Sequence, residues 1–174
     1  MIKLFLIIGF MTSVMVVSFY SLSVPSIARD ATIRFNTFQN KKVLLVNTAT
    51  ASPSAYQLQK LQQLYLQHKD SMVIIAFPSN SFGNEPRNKN GLRKYMRDTL
   101  GLTFLIAEKS PVKGENTNVI FEWLRRKIQN EVINAKTKTD FQKFLIDKHG
   151  QLVGIFDSSI SPLSTTMQNA IHNN

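Results

Sequence analysis

The chain contains no cysteine, and that absence removes disulfide bonds, thiolate metal sites and thiol redox chemistry together. It also removes the lipidated cysteine that anchors a bacterial lipoprotein. Histidine is scarce: His68, His149 and His172 lie far apart, with no second ligand-type residue at metal spacing, so neither a metal site nor a cofactor is expected. Negative charge is scarce as well, with 11 Asp and Glu against 21 Lys and Arg, a net charge of +10. What is present is a folded-domain composition, 43% hydrophobic and 18% charged. A length of 174 residues suits one domain with its own core plus a short appendage. There is no internal repeat and no low-complexity segment.

The basic residues are scattered, at Lys60 and Lys69, at Arg93, Lys94 and Arg97, at Arg125, Arg126 and Lys127, and at Lys136 and Lys138. No aromatic-interleaved basic stripe, helix-turn-helix or RNA-binding signature appears, so no nucleic-acid partner is expected. Solvated helix faces account for most of the charge. An anionic membrane surface is the functional alternative, because of what stands at the N-terminus. There Lys3 precedes an uncharged apolar run over residues 4–20. Such a run fits a signal-peptide core or a short membrane anchor. Ser21-Leu22-Ser23 offers small residues for cleavage but departs from the A-x-A pattern, which leaves removal and retention open. Residues 1–20 are therefore expected to target or anchor the chain, and residues 21–174 to form the domain. The expected location is outside the cytoplasm: periplasm, cell envelope or extracellular space.

Periodicity predicts an α/β domain. Residues 33–38 suggest a short strand, and residues 43–47 a central strand buried on both faces. Tyr56, Leu58, Leu61, Leu64 and Tyr65 recur at helical spacing over 55–69. A second buried strand covers 72–77, a polar loop 78–91, a helix 91–100 and a short strand 104–106. Val119, Ile120, Trp123, Leu124 and Ile128 mark an amphipathic helix with Arg125, Arg126 and Lys127 turned outward. Residues 144–147 and 152–156 flank Lys148-His149-Gly150, a hairpin signal, and Pro162 opens a last helix ending near His172.

Four separated blocks carry a more specific signal. Residues 41–53, Lys-Lys-Val-Leu-Leu-Val-Asn-Thr-Ala-Thr-Ala-Ser-Pro, resemble the glutathione peroxidase family's GKVLLIVN-x-A-S-x-C-G, and the block continues through Gln57 and Leu61. Residues 77–86, Phe-Pro-Ser-Asn-Ser-Phe-Gly-Asn-Glu-Pro, resemble that family's FPCNQFG-x-QEP with one residue deleted after Gly83. Val112, Gly114 and Asn116 leading to Phe121 and Leu124 are similar to V-x-G-x-N…F-x-x-L, and residues 141–147 with Gly150 to WNF-x-KFLVD-x-x-G. The resemblance covers residue 19 to the C-terminus. It implies a thioredoxin-like single domain, a central mixed sheet flanked by helices.

The same resemblance places the family's active side chains, and all four are replaced. The peroxidatic cysteine or selenocysteine falls on Ser52, the glutamine on Ser81, the tryptophan on Thr139 and the asparagine on Asp140. A frequent resolving cysteine falls on Ser79, and the glycine after the nucleophile is Pro53. Peroxide reduction needs a soft atom that gives up two electrons and takes an oxygen; a serine hydroxyl has no such oxidation ladder. A carboxylate at 140 accepts hydrogen bonds where an amide would donate, and it repels an anionic sulfur. The family's activity is thiol-dependent peroxide reduction, in oxidative-stress defence. The expectation for this chain is loss of that activity and use of the fold as a binding or interaction module, with a small polar ligand or peptide at a crevice over Ser52. The alternatives are an oxidoreductase working by a non-thiol route, or a hydrolase built on Ser52 with a distant base such as His149.

Overall fold

The computed structural model describes residues 16–173. A small antiparallel hairpin of β1 (Ser23–Pro25) and β2 (Thr32–Arg34) leads into β3 (Lys42–Thr48), whose seven residues lie along the middle of the main sheet. From β3 the chain turns into helix α1 (Gln57–His68) and returns as β4 (Met72–Pro78), parallel to β3. Helix α2 (Lys89–Lys94) runs into a π-helical turn at Tyr95–Thr99, and β5 (Leu105–Ile106) adds to the outer edge of β4. Helices α3 (Val119–Arg125) and α4 (Lys127–Asn130) precede the antiparallel pair β6 (Lys143–Ile146) and β7 (Leu152–Phe156), and α5 (Thr165–Asn173) closes the chain. The five-stranded sheet has the order β5-β4-β3-β6-β7, parallel on one side of β3 and antiparallel on the other. This is the thioredoxin-like α/β arrangement that the sequence implied.

The unbroken apolar run of β3 follows from its position. Successive strand side chains point to opposite faces, so Val43 and Leu45 face one core and Leu44 and Val46 the other. On the first face they meet Phe77, Phe144, Phe121 and Trp123; on the second they meet Leu58, Leu61 and Leu64 of α1 and Met167 and Ile171 of α5. Both cores are closed to water, which leaves the ends of the strands as the places where polar chemistry can sit.

Several element boundaries differ from the expected ones, each for a local reason. The strand expected over 33–38 stops at Arg34 and becomes a 3-10 turn, Phe35–Phe38, because Phe35 has to turn inward beside Phe19. The helix expected through Ile128 breaks at Arg126, whose φ of −113° and ψ of 104° are extended, and Asn130 then builds a separate loop. Pro162 does not open the last helix: α5 starts at Thr165, and Ser164 Oγ accepts from the Met167 N–H at 3.3 Å, as a capping serine does.

The apolar run over 4–20 does not stay apart from the domain. Its last residues belong to the core: Phe19 is 2% exposed, with its ring 4.9 Å from Phe35 and 5.4 Å from Trp123. The Trp123 indole N–H donates to Val17 O at 2.8 Å, and the Tyr20 hydroxyl donates to Lys148 O at 2.7 Å. Among the described residues packing against the domain thus begins at Val17, ahead of the expected boundary at residue 21; residues 1–15 lie outside the described residues. Cleavage after Ser23 would strip Phe19 from the core, a loss of about 3–5 kcal/mol on the scale of phenylalanine truncations.

Tyr20 also explains Gly150. Gly150 turns the β6–β7 hairpin at φ +85°, and a Cβ there would meet the Tyr20 ring at 2.8 Å. Gly150→Ala should lower unfolding free energy by about 1–3 kcal/mol in urea titrations, from strain and the close contact together. Unchanged stability would show that the N-terminal strap is not seated on this turn.

Candidate functional site

β3 ends at Thr48, and the next eight residues turn the chain before α1 begins at Gln57. The Ser52 N–H donates to Ala49 O at 3.3 Å and the Ala55 N–H to Ser52 O at 2.9 Å, so the turn coils ahead of the regular helix. Ser52 sits in this turn and is buried, with Oγ accepting from the Ser54 N–H at 3.3 Å. A serine held this way closes a local side-chain turn ahead of the helix. Its hydroxyl is directed back to its own chain.

The turn is held by Glu85, which is 1% exposed. Its carboxylate accepts from the Thr50 N–H at 2.7 Å, from the Thr50 hydroxyl at 2.8 Å and from the Arg87 N–H at 3.1 Å. The Arg87 guanidinium donates in turn to Thr50 Oγ1 at 2.6 Å and stacks 4.1 Å from the Tyr95 ring centre. The neighbouring Asn84 works at both ends: its carbonyl accepts from the Ala51 N–H at 3.0 Å, and its side-chain amide donates to Asp140 Oδ2 at 2.7 Å. Asn84 thus joins the Ser52 turn to Asp140. Asp140 is 5% exposed, and its other carboxylate oxygen has no partner.

The remaining expected positions divide. The Ser79 hydroxyl donates to Ser81 Oγ at 2.9 Å, and the Val112 N–H donates to the same Ser81 oxygen at 3.0 Å. Ser81 therefore ties the 78–84 loop to the start of the Val112 segment. It lines a cavity of about 300 Å³ with Asn80, Lys109, Ser110 and Pro111; Ser52 is not among the lining residues. Thr139 is exposed, and only its backbone carbonyl is engaged, accepting from the Asn47 side-chain amide at 2.8 Å. Structure joins Ser52 to Asp140 through Asn84, and Ser81 to Ser79, but Thr139 Oγ1 takes no recorded part.

Three supports were not legible as site residues. Asn47, at the end of β3, holds Thr139 O with its side chain and accepts the Phe141 N–H at 2.7 Å on its carbonyl. Among the described residues Phe141 is one of four non-glycine residues at positive φ, at +61°. Its carbonyl accepts from the Lys143 ammonium at 2.8 Å. Lys143 is wholly buried in β6, and burial lowers its pKa to about 8 against a smaller opposing pull from Asp157. A lysine inside an apolar strand, two residues after the turn it bonds, was the one sequence signal that could have found this clamp.

The histidines are at the wrong end of the molecule for catalysis at Ser52. β6 runs antiparallel to β3, with Ile146 opposite Val43 and Lys143 opposite Val46. His149, beyond Ile146, therefore lies at the end of the sheet away from Ser52, beside Phe19, Gln129 and Gly150. His68 ends α1, whose start faces Ser52, and His172 packs 5.7 Å from His68. A 12-residue helix is about 18 Å long. No histidine is placed to serve Ser52 as a base, so the His149 base of the hydrolase alternative is not in position. No group of three or more His, Asp or Glu suited to a metal occurs among the described residues.

A central mixed sheet with its polar turn at the end of β3 and the start of α1 defines a thioredoxin-like protein, and solved structures bear this out. The thioredoxin-family thiol:disulfide interchange protein from Chlorobium tepidum superposes with a TM-score of 0.61 at 13% identity, covering 92% of this chain and 97% of that one. Within that class the chain belongs to the glutathione peroxidase family: the family model for glutathione peroxidase matches residues 19–125. The glutathione peroxidase-like peroxiredoxin 5 of Chlamydomonas reinhardtii is 36% identical over 148 residues, covering 84% of this chain and 90% of that protein. The crystal structure of Trgpx in its apo form gives a TM-score of 0.67 at 26% identity, covering 90% of this chain and 96% of that one.

The Lys143 clamp makes a signed pH prediction. Its folded pKa lies below the lysine value of 10.5, so between about pH 8 and 10.5 the unfolded chain binds more protons. Stability should rise with pH across that window, and the relative gain should be lost as pH falls through about 8. Urea midpoints of the native chain against Lys143→Met should show the rise in the native chain alone, on the order of 1–3 kcal/mol.

Proposed function

We propose that this glutathione-peroxidase-like chain has lost thiol peroxidase activity and works as a binding or interaction module on the family scaffold. One observation carries the reading: the oxygen at position 52 replaces the sulfur or selenium that the chemistry requires, and the chain has no cysteine to replace it. Reduction of a peroxide moves one oxygen atom onto a chalcogen, which becomes a sulfenic or selenenic acid while an alcohol or water leaves. Ser52 Oγ cannot accept that oxygen. Its surroundings support the same reading. The hydroxyl accepts a local backbone N–H, the Ser81 hydroxyl is committed to Ser79 and Val112, and Asp140 offers an unpartnered oxygen acceptor. An anionic sulfur needs donors there.

The space for a small polar ligand or peptide is beside Ser81, where Lys109 and Ser110 line the cavity. The module acts outside the cytoplasm, as Lys3 and the apolar run after it imply. Cell fractionation should recover the chain with the envelope or outside the cell. Soluble cytoplasmic protein with an intact N-terminus would refute export.

Purified full-length chain should consume hydrogen peroxide or organic hydroperoxides no faster than buffer, with glutathione or thioredoxin as reductant. Ser52→Cys alone should recover little, because Asp140 raises the pKa of the new thiol. The combined Ser52→Cys, Ser81→Gln, Thr139→Trp, Asp140→Asn variant should exceed it by roughly tenfold or more. Turnover by the unaltered chain, free of contaminating metal and haem, would instead establish a peroxidase of the non-thiol kind.

A further inference from the structure

Ten large hydrophobic side chains are exposed among the described residues, and six of them belong to one region: Val16, Val17, Val119, Ile128, Val132 and Ile133. Apolar residues scattered singly need no explanation, but a cluster does. Two grooves show that part of it is continuous. Val17, Val119 and Arg126 line one of about 270 Å³; Val16, Arg126, Lys127 and Ile128 line the other. Val132 and Ile133 follow on the adjoining loop.

That loop is built to hold its shape. Asn130 is 4% exposed, and its amide nitrogen donates to Trp123 O, Leu124 O and Ile133 O at 3.1, 2.8 and 2.9 Å. Its Oδ1 accepts from the N–H groups of Val132 and Ile133, each at 2.9 Å. A buried residue with five hydrogen bonds thus fixes two half-exposed aliphatic side chains in place. The charge around the apolar residues is mostly positive: from 119 to 138 there are five Lys or Arg against Glu122 and Glu131, with Glu122 paired to Arg125 and Arg126.

The third observation is where the chain enters the domain. The Val17 N–H donates to Gln129 Oε1 at 2.7 Å, and Val17 O accepts from Trp123 Nε1. The described chain therefore enters the domain at this same face.

We propose that the α3–α4 face, centred on Val16, Ile128, Arg126 and Lys127 and extended by Val132 and Ile133, docks on an anionic lipid surface. Aliphatic side chains enter the headgroup boundary while the surrounding cations meet lipid phosphates, the combination that interfacial binding requires. A second copy of this chain is the weaker occupant, since a two-fold interface would bring the same cations face to face. The proposal does not depend on whether peroxidase activity is lost.

The full chain should co-sediment with vesicles of mixed phosphatidylglycerol and phosphatidylcholine far more than with phosphatidylcholine alone, and salt should weaken the binding. Arg126→Glu with Lys127→Glu and Lys136→Glu should reduce it roughly tenfold or more. Val132→Ser with Ile133→Ser should weaken binding at all salt concentrations. The lack of native cysteine permits a site-specific probe: an environment-sensitive dye on Ile133→Cys should shift blue on anionic vesicles, while one on Leu66→Cys, across the sheet on α1, should not. Equal binding to both vesicle types, or no effect of the substitutions, would overturn the proposal and leave attachment to residues 1–15 alone. Concentration-dependent dimerisation abolished by Val132→Ser with Ile133→Ser would overturn it in favour of self-association.

Discussion

The Glu85 carboxylate, sealed from water and accepting three hydrogen bonds, is the contact on which the architecture of the site depends. A buried charge is stabilising only where donors surround it, and here the donors come from the turn that carries Ser52 and from the chain after Glu85 itself. Through that one group the end of β3 is tied to the loop after β4. The adjacent Asn84 extends the tie to Asp140. The backbone of the turn is thus held by groups other than the Ser52 side chain.

Scaffold and chemistry have separable requirements. The sheet needs apolar residues on both faces of β3 and a fixed exit into α1; both are met by aliphatic packing and by Glu85, Asn84 and Asn47. Peroxide chemistry needs a soft nucleophile and donors aimed at its anion. Nothing in the packing forces the second set to be kept. Ser52 is comfortable as a turn residue bonded to the Ser54 N–H, and Ser79 and Ser81 bond one another and Val112. Each position that the resemblance matches to the family's site has an ordinary structural partner here, except Asp140 Oδ1 and the Thr139 side chain.

The opposite end of the molecule has gained order. Val17, Phe19 and Tyr20 are pinned by Trp123, Phe35 and the Gly150 turn, so the apolar N-terminal stretch is tied to α3 and to the β6–β7 hairpin. Asn130 stiffens the neighbouring loop. Rigid placement lowers the entropic penalty of any contact this face makes. The two ends of the sheet thus have different characters: closed and polar around Ser52, apolar and cationic around Ile128.

Much of this was legible in the residues alone. The unbroken apolar runs of β3 and β4 and the hairpin at Gly150 are local patterns that imply an α/β domain; the thioredoxin-like plan and the family came from the resemblance in the four motif blocks. The absence of a thiol was equally legible, because a count of cysteines needs no structure. The remainder is a matter of distance between parts of the chain remote in sequence. That Asn84 bridges Ser52 to Asp140, that Lys143 clamps a left-handed Phe141, and that every histidine lies away from Ser52 follow only once β6 is laid antiparallel against β3. Hydrogen bonds reach about 3 Å, and sequence spacing carries no such ruler between separate elements. The resemblance already reached back to residue 19, but tertiary structure alone decided that the Phe19 ring closes against Phe35 and Trp123.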